Sequence, residues 1–132
     1  MSFAVAVKAL LVQDGKALII RRRKFDSHKA GAWDLPGGRL EAGENPYDGL
    51  HREIKEEVAM TADIVRPLDV HHFVRDDGQT ITMLIFLCKP HITAVTLSEE
   101  HDEYRWVPIA DETAFPDWIN QVLGKYKETM SA

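Results

Sequence analysis

The stretch Gly38–Met60 carries a glycine turn, a helix start signal and a regular set of carboxylates. Asn45-Pro46 predicts the helix start, because asparagine caps helix N-termini and proline is favoured at the first helical position. Asp48 follows where a capping box places an acid. Apolar residues then recur at steps of three and four: Tyr47, Leu50, Ile54 and Val58. The stretch therefore predicts an amphipathic helix.

Three carboxylates share a second face of this predicted helix, at Glu53, Glu56 and Glu57. Like charges at such spacing destabilise an isolated helix by a few tenths of a kcal/mol per pair, roughly. Carboxylate oxygens are also the preferred ligands of hard divalent cations. A solvated acidic face is the alternative interpretation. The glycine turn, Glu44 and Arg52 beside these acids favour a cation site.

The same stretch resembles the Nudix box, G-x5-E-x7-R-E-U-x-E-E-x-G-U, where U is a bulky aliphatic residue. Gly38, Glu44 and the run Arg52–Met60 match every defined position but one, where Ala59 replaces the last glycine. A glycine at this helix end usually adopts the left-handed conformation, which costs alanine about 1–2 kcal/mol. The resemblance implies an α/β/α sandwich, a mixed β-sheet flanked by the box helix and a C-terminal helix.

The remaining pattern predicts six strands and a terminal helix in one domain over residues 1–132. The strands are expected at Phe3–Val12, Lys16–Arg23, Trp33–Leu35, Ile64–Arg75, Thr80–Lys89 and Tyr104–Val107, and the helix at Phe115–Lys127. Asp14-Gly15 indicates a hairpin turn, and Phe25–Gly31 a polar loop. Thr80–Lys89 is apolar on both faces, which is typical of a central strand. Strands followed by helices in this order predict a mixed sheet with helices on its faces.

Composition limits the classes of function. The content of 45% hydrophobic and 28% charged residues is that of a globular protein. Cys88 is the only cysteine and lies in an apolar run, so we expect a buried thiol. We find no apolar run long enough for a membrane span and no signal peptide pattern, so we expect a cytoplasmic location. A net charge of −5 argues against stable nucleic-acid binding.

The resemblance implies a Mg²⁺ cofactor, with Mn²⁺ as the alternative. Glu53 and Glu57 are its main expected ligands, and Glu56 shares in the binding. A backbone carbonyl of Gly37 or Gly38 is expected to add a ligand. A carboxylate cluster that holds two or more such ions would neutralise phosphate charge and aim a water.

Two further roles are expected around these ligands. Arg52 is interpreted as structural, near Glu56 on the helix and able to pair with Glu44 across the loop. A further acid is expected from outside the box, as general base or extra ligand. The segment Glu100–Trp106 resembles the one that supplies it, and the sequence leaves Glu100 and Glu103 both open.

Three residues are expected to contact the substrate. In the basic run Arg21-Arg22-Arg23, alternation sends the outer two to one side, and Arg23 is preferred because it is nearest the loop. A solvated strand end is the alternative interpretation of this run. Phe115 is a candidate for stacking on a base, and Asn120 for reading its edge. Trp118 fits the apolar stripe of the terminal helix instead.

The expected function is hydrolysis of a nucleoside diphosphate linked to X. A nucleoside triphosphate, cut to monophosphate and pyrophosphate, is favoured because the short chain resembles MutT-type members. ADP-ribose, a nucleotide sugar or a dinucleoside polyphosphate is the alternative, and a non-catalytic binding module is a third hypothesis. The expected partner is a small-molecule nucleotide, with no membrane and a monomer or homodimer.

Overall fold

The computed structural model describes residues 2–23 and 31–131. Its strands are β1 (Phe3–Gln13), β2 (Lys16–Arg22), β3 (Trp33–Asp34), β4 (Gly37–Arg39), β5 (Ala62–Val74), β6 (Thr80–Pro90) and β7 (His101–Pro108). Its helices are α1 (Pro46–Val58) and α2 (Asp117–Ser131), preceded by a 3₁₀ turn at Glu112–Ala114. Apart from Gly31, the loop predicted at Phe25–Gly31 lies outside the described residues.

The strands form one mixed sheet, as predicted. Its order is β3-β2-β1-β6-β5, with β4 also paired to β1 and β7 also paired to β2. Strand β1 runs parallel to β6, and the other pairs are antiparallel. The prediction that Thr80–Lys89 is a central strand is confirmed, since β6 lies between β1 and β5.

Helices α1 and α2 cover the two faces of this sheet, which confirms the α/β/α sandwich. On one face, α1 buries the apolar residues Leu50, Ile54 and Val58 against Val7, Leu11 and Phe86. On the other, α2 buries Ile119, Val122 and Leu123 against Leu10, Ile85 and Val107. Among the residues described, no helix is both long and apolar enough to cross a membrane.

Strand β4 was not predicted, because its glycines indicate a turn in the sequence. In the structure Gly37 and Gly38 pair with Lys8 and Val7 of β1. Gly37 has φ 146°, and a Cβ atom there would lie 2.0 Å from the carbonyl oxygen of Val7. The missing side chain therefore lets this backbone approach β1 closely enough to pair.

The predicted start of the terminal helix was two residues too early. Phe115 is extended, with φ −116° and ψ 145°, and the helix begins at Asp117. Proline disfavours the helical conformation in the residue before it, and Pro116 acts on Phe115 in this way.

The N-terminal end of α1 is formed as the sequence predicts, and its C-terminal end keeps the left-handed turn although alanine replaces glycine there. The Asn45 side chain accepts a hydrogen bond of 2.8 Å from the Tyr47 N–H. Ala59 adopts the left-handed conformation, with φ 56° and ψ 41°, and its N–H donates to the Lys55 carbonyl at 3.1 Å. Alanine thus carries the strain that a glycine at this position would avoid.

We predict that Ala59→Gly stabilises the protein by about 1 kcal/mol, since it relieves this strain at an exposed position. Such a gain raises the melting temperature by roughly 4 °C in thermal unfolding followed by circular dichroism. Ala110→Gly is the control, because Ala110 is exposed and has no positive φ. It should lower stability slightly, through the larger entropy of the unfolded chain. Equal effects of the two changes would contradict the prediction.

Candidate active site

Helix α1 holds its three predicted acids at different depths. The Glu56 side chain is 58% accessible, whereas those of Glu53 and Glu57 are only 12% and 8% accessible. The apolar stripe of α1 faces the sheet. The neighbouring face of the helix, which carries these acids, lies against β4. Two of the three carboxylates are therefore partly removed from water.

Arg52 links this acidic face to the loop before α1. Its guanidinium donates two hydrogen bonds to the Glu44 carboxylate, at 2.8 and 2.9 Å. It also donates to Glu53 at 3.0 Å and to Glu56 at 3.2 Å. Both predicted pairings of Arg52 are present. The hydrogen bonds from Arg52 lower the pKa of Glu44 to about 2, so the Glu44 carboxylate stays ionised and paired with Arg52 at neutral pH.

Glu57 is bound to the backbone of β4. Its Oε1 accepts a hydrogen bond of 2.6 Å from the Gly37 N–H, and its Oε2 lies 4.0 Å from His101 Nδ1. Burial raises the pKa of Glu57 to about 7, although the nearby Lys8 charge and the Gly37 hydrogen bond oppose that rise. In the absence of a cation this carboxylate is therefore costly to ionise.

Glu53 packs against Gly38. A Cβ atom at Gly38 would lie 2.7 Å from Glu53 Oε2, so a side chain there would displace the carboxylate. Burial raises the pKa of Glu53 as well. Gly38 thus has a steric role beside the ligand role expected from the sequence.

Glu53, Glu57 and Gly38 belong to the lining of an acidic pocket of about 260 Å³. Its lining residues are Arg22, Gly37, Gly38, Arg39, Glu53, Glu56, Glu57, Ser98 and Glu100. Glu100 lies in the turn before β7, and its carbonyl accepts a hydrogen bond of 3.0 Å from the Arg23 N–H. The pocket therefore brings one acid from outside α1 to the three on the helix.

Glu103 lies elsewhere, in an ionic network on β2 and β7. Its carboxylate is 3.2 Å from both Arg21 Nη1 and Arg105 Nη2. The Cζ atoms of these two arginines lie 5.8 and 4.8 Å from the centre of the Trp33 ring. An indole ring is attracted to cations at such distances. Because Glu103 pairs with both arginines, it helps to fix the position of Trp33.

A second cavity, of about 480 Å³, adjoins the acidic pocket. Its apolar lining includes the aromatic residues Trp33, Phe73 and Trp118, with Ala6, Ile81 and Met83. His71 stacks on Trp118 at 5.9 Å between ring centres and supports its orientation. A lining that contains three aromatic rings suits a flat aromatic ligand.

The two cavities share Arg22, Gly38 and Arg39. Two cationic side chains thus stand where the aromatic cavity meets the carboxylates. Lys8, Asp34 and Arg75 are the other charged residues in the lining of the aromatic cavity. A ligand with a ring at one end and phosphates at the other matches this order of groups.

The structure does not bring the three expected substrate contacts to these cavities. Arg23 Nε donates to the Glu99 carbonyl, and Arg22 lines both cavities instead. Phe115 is only 6% exposed within the core beneath α2. The Asn120 amide donates to the Glu112 and Phe115 carbonyls at 2.8 and 3.3 Å. Within the described residues, Trp118 takes the cavity position expected for Phe115.

Sequence reasoning missed Lys8 and Asp34. Lys8 is 4% exposed, and its Nζ donates to Asp34 Oδ2 at 3.0 Å. A charged residue amid the apolar run of β1 was the available signal, because lysine is rarely buried without partners. The partner of Lys8 could not be identified without the fold.

The acidic pocket suits a hard divalent cation by its donor set. Carboxylate and carbonyl oxygens are ligands that Mg²⁺ and Mn²⁺ prefer. Within the described residues, no three acidic, histidine or cysteine side chains converge on one ligating point. Arg52 holds Glu53 and Glu56, and the Gly37 N–H holds Glu57. Such convergence is not required, since Mg²⁺ commonly takes one or two protein carboxylates, with waters and substrate phosphates completing its shell.

Relatives with similar sequences include enzymes of nucleotide hydrolysis. The chain is 32% identical over 105 residues to a MutT-like protein of Streptomyces ambofaciens, covering 79% of this chain and 63% of the relative. It is 26% identical to the CTP pyrophosphohydrolase of Escherichia coli, covering 88% of this chain and 84% of that protein. It spans only 32% of the human 8-oxo-dGDP phosphatase NUDT18, at 29% identity. The match thus covers less than two thirds of the MutT-like protein and about a third of NUDT18.

The fold also matches solved structures. A MutT protein from Methanosarcina mazei has a TM-score of 0.89 at 25% identity, covering 99% of this chain and 97% of that one. The NUDIX domain of Shewanella oneidensis NrtR, solved with ADP ribose, has a TM-score of 0.79 at 19% identity, covering 98% and 90%. A family model described as the NUDIX domain matches residues 2–126. The chain therefore belongs to the NUDIX family of hydrolases, which generally use a divalent metal such as Mg²⁺.

Proposed function

We propose that the chain is a Mg²⁺-dependent pyrophosphohydrolase of a nucleoside diphosphate linked to X. The favoured substrate is a nucleoside triphosphate, cut to monophosphate and pyrophosphate. The observation that carries this proposal is the junction of the aromatic cavity with the acidic pocket at Arg22, Gly38 and Arg39. A base in the first cavity would place its phosphates beside these cations and the acids of α1.

The proposed reaction breaks the phosphoanhydride link between the α and β phosphates. A water oxygen bonds to one of the two phosphorus atoms, and the bridging oxygen departs with the other. Glu53, Glu56 and Glu57 would hold Mg²⁺, which supplies charge neutralisation and acidifies the attacking water. Arg22 and Arg39 orient the phosphates. Glu100 accepts the proton of the water, because it is the acid from outside α1 that lines the pocket.

A panel of nucleotides assayed with Mg²⁺ tests the proposal. Pyrophosphate release from a nucleoside triphosphate is the expected result. Release of single phosphates, or activity that persists in Glu57→Gln protein purified identically, would contradict it.

The second candidate is hydrolysis of ADP-ribose, a nucleotide sugar or a dinucleoside polyphosphate by the same groups. The aromatic cavity favours any ring linked to a diphosphate, and the NrtR domain with the same fold was solved with ADP ribose. The same panel separates the two candidates, because these substrates give two monophosphates or longer phosphate products without free pyrophosphate.

We predict that Glu57→Gln abolishes turnover and stabilises the metal-free protein at alkaline pH. Burial raises the pKa of Glu57 to about 7, above its usual 4.5. The parent should therefore lose on the order of 1–3 kcal/mol of metal-free stability as pH rises from about 4.5 through 7. The glutamine variant should lack that loss, as measured by urea unfolding with chelator at pH 5 and pH 8. Glu128→Gln, an exposed change on α2, should match the parent.

Replacing the two acids near β7 should have unequal effects. Glu100→Gln should lower the rate by roughly 10²–10⁴-fold, the usual range for general acid–base catalysis. Glu103→Gln should leave kcat nearly unchanged, since that carboxylate pairs with Arg21 and Arg105. Steady-state kinetics at saturating Mg²⁺ measures both. Equal small effects would place the base at another residue.

The aromatic cavity predicts which residues set nucleotide choice. Trp118→Leu should raise KM by roughly 10- to 100-fold, because stacking on a base contributes about 1–3 kcal/mol. Asn120→Ala should change neither KM nor the ranking among nucleotides, since the Asn120 amide is bound to the segment that precedes α2. A changed ranking in Asn120→Ala, with Trp118→Leu unaffected, would restore the sequence-based prediction that Asn120 reads the base.

A further inference from the structure

A buried lysine, Lys8, lies in the lining of the aromatic cavity. Lys8 lies in the middle of β1 between Ala6 and Leu10, and its side chain is only 6% accessible. A lysine removed from water costs free energy unless its charge and its donors find partners. The Lys8 ammonium has three acceptors: Asp34 Oδ2 at 3.0 Å, the Leu35 carbonyl at 3.2 Å and the Gly37 carbonyl at 3.3 Å.

These acceptors belong to one short segment, residues 34–37. Lys8 therefore hydrogen-bonds to both ends of this segment. The other side of this segment faces α1. The Gly37 N–H donates to Glu57 at 2.6 Å, and Gly38 lies against the Glu53 carboxylate. Lys8 thus binds the backbone segment that contacts Glu53 and Glu57, two of the proposed ligands.

We propose that Lys8 is a positioning residue for the metal site, acting through the segment 34–38 on Glu53 and Glu57. This inference rests on the proposed metal site. The Lys8 ammonium donates to the Gly37 carbonyl, and its charge also lowers the pKa of Glu57, against the rise caused by burial. The ammonium fixes the Gly37 peptide, and that peptide orients the Glu57 carboxylate.

A purely structural role makes a different prediction. A buried ion pair can often be replaced by uncharged groups at little cost, whereas removal of one partner alone is destabilising. If the Lys8–Asp34 pair served stability only, neutralising both members would restore stability and metal binding together. A positioning role predicts that stability returns while metal binding stays weak.

The test is Mn²⁺ binding by electron paramagnetic resonance of the free ion, without nucleotide. Lys8→Met should weaken Mn²⁺ binding by roughly 10- to 100-fold, the effect usual for groups that orient ligands. Lys16→Met makes the same change at an exposed lysine and should bind as the parent does. A second readout is the ¹H–¹⁵N resonance of the Gly37 amide, which should move in Lys8→Met and stay in Lys16→Met.

The double variant Lys8→Met/Asp34→Asn decides the matter even if the single variant unfolds. Continued weak Mn²⁺ binding in a folded double variant supports the proposal, and parent-like binding overturns it. Parent-like binding in a folded Lys8→Met protein overturns it as well. If the parent binds no Mn²⁺, or Glu57→Gln binds as the parent does, the proposed metal site itself fails. The two failures are thereby distinguished.

Discussion

The close packing of Gly37 between β1 and α1 is the constraint on which the site depends. A Cβ atom there would meet the Val7 carbonyl oxygen at 2.0 Å, so no other residue allows this approach without moving the backbone. Because the segment lies this deep, its carbonyl reaches Lys8 and its N–H reaches Glu57. The same backbone then forms the boundary between the acidic pocket and the aromatic cavity. One steric condition thus sets the geometry of both.

Depth has an electrostatic consequence for the acids of α1. Glu53 and Glu57 are largely withdrawn from water, and burial raises the pKa of both. Arg52 compensates part of this charge, although it is itself engaged most strongly with Glu44. A cation in the pocket would relieve the remainder, since it binds the folded chain and favours ionised carboxylates. The proposed metal binding and the cost of ionising these carboxylates without metal therefore have the same origin.

The sequence predicts those parts of the structure that depend on local order. Helix α1, its Asn45 cap and the pairing of Arg52 with Glu44 follow from residue spacing within one short stretch. The fold of the sheet follows from the resemblance and from alternation. The structure does not bring the expected substrate contacts Arg23, Phe115 and Asn120 to the cavities, because their positions depend on distant contacts or on local irregularity. A bulge between Arg21 and Arg22 alters the alternation that was expected to place Arg21 and Arg23 on one side of the strand.

The difference between local spacing and distant contacts also makes the reaction easier to infer from the sequence than the substrate. The carboxylates proposed for catalysis come almost wholly from one helix, so a single motif is enough to indicate the chemistry. The aromatic cavity is assembled from Trp33, Phe73 and Trp118, which lie on β3, β5 and α2. No spacing in the sequence relates these residues, because only the sheet order and the packing of α2 bring them together. Substitutions in the cavity can therefore change which ring fits the proposed binding site while the acids of α1 stay in place.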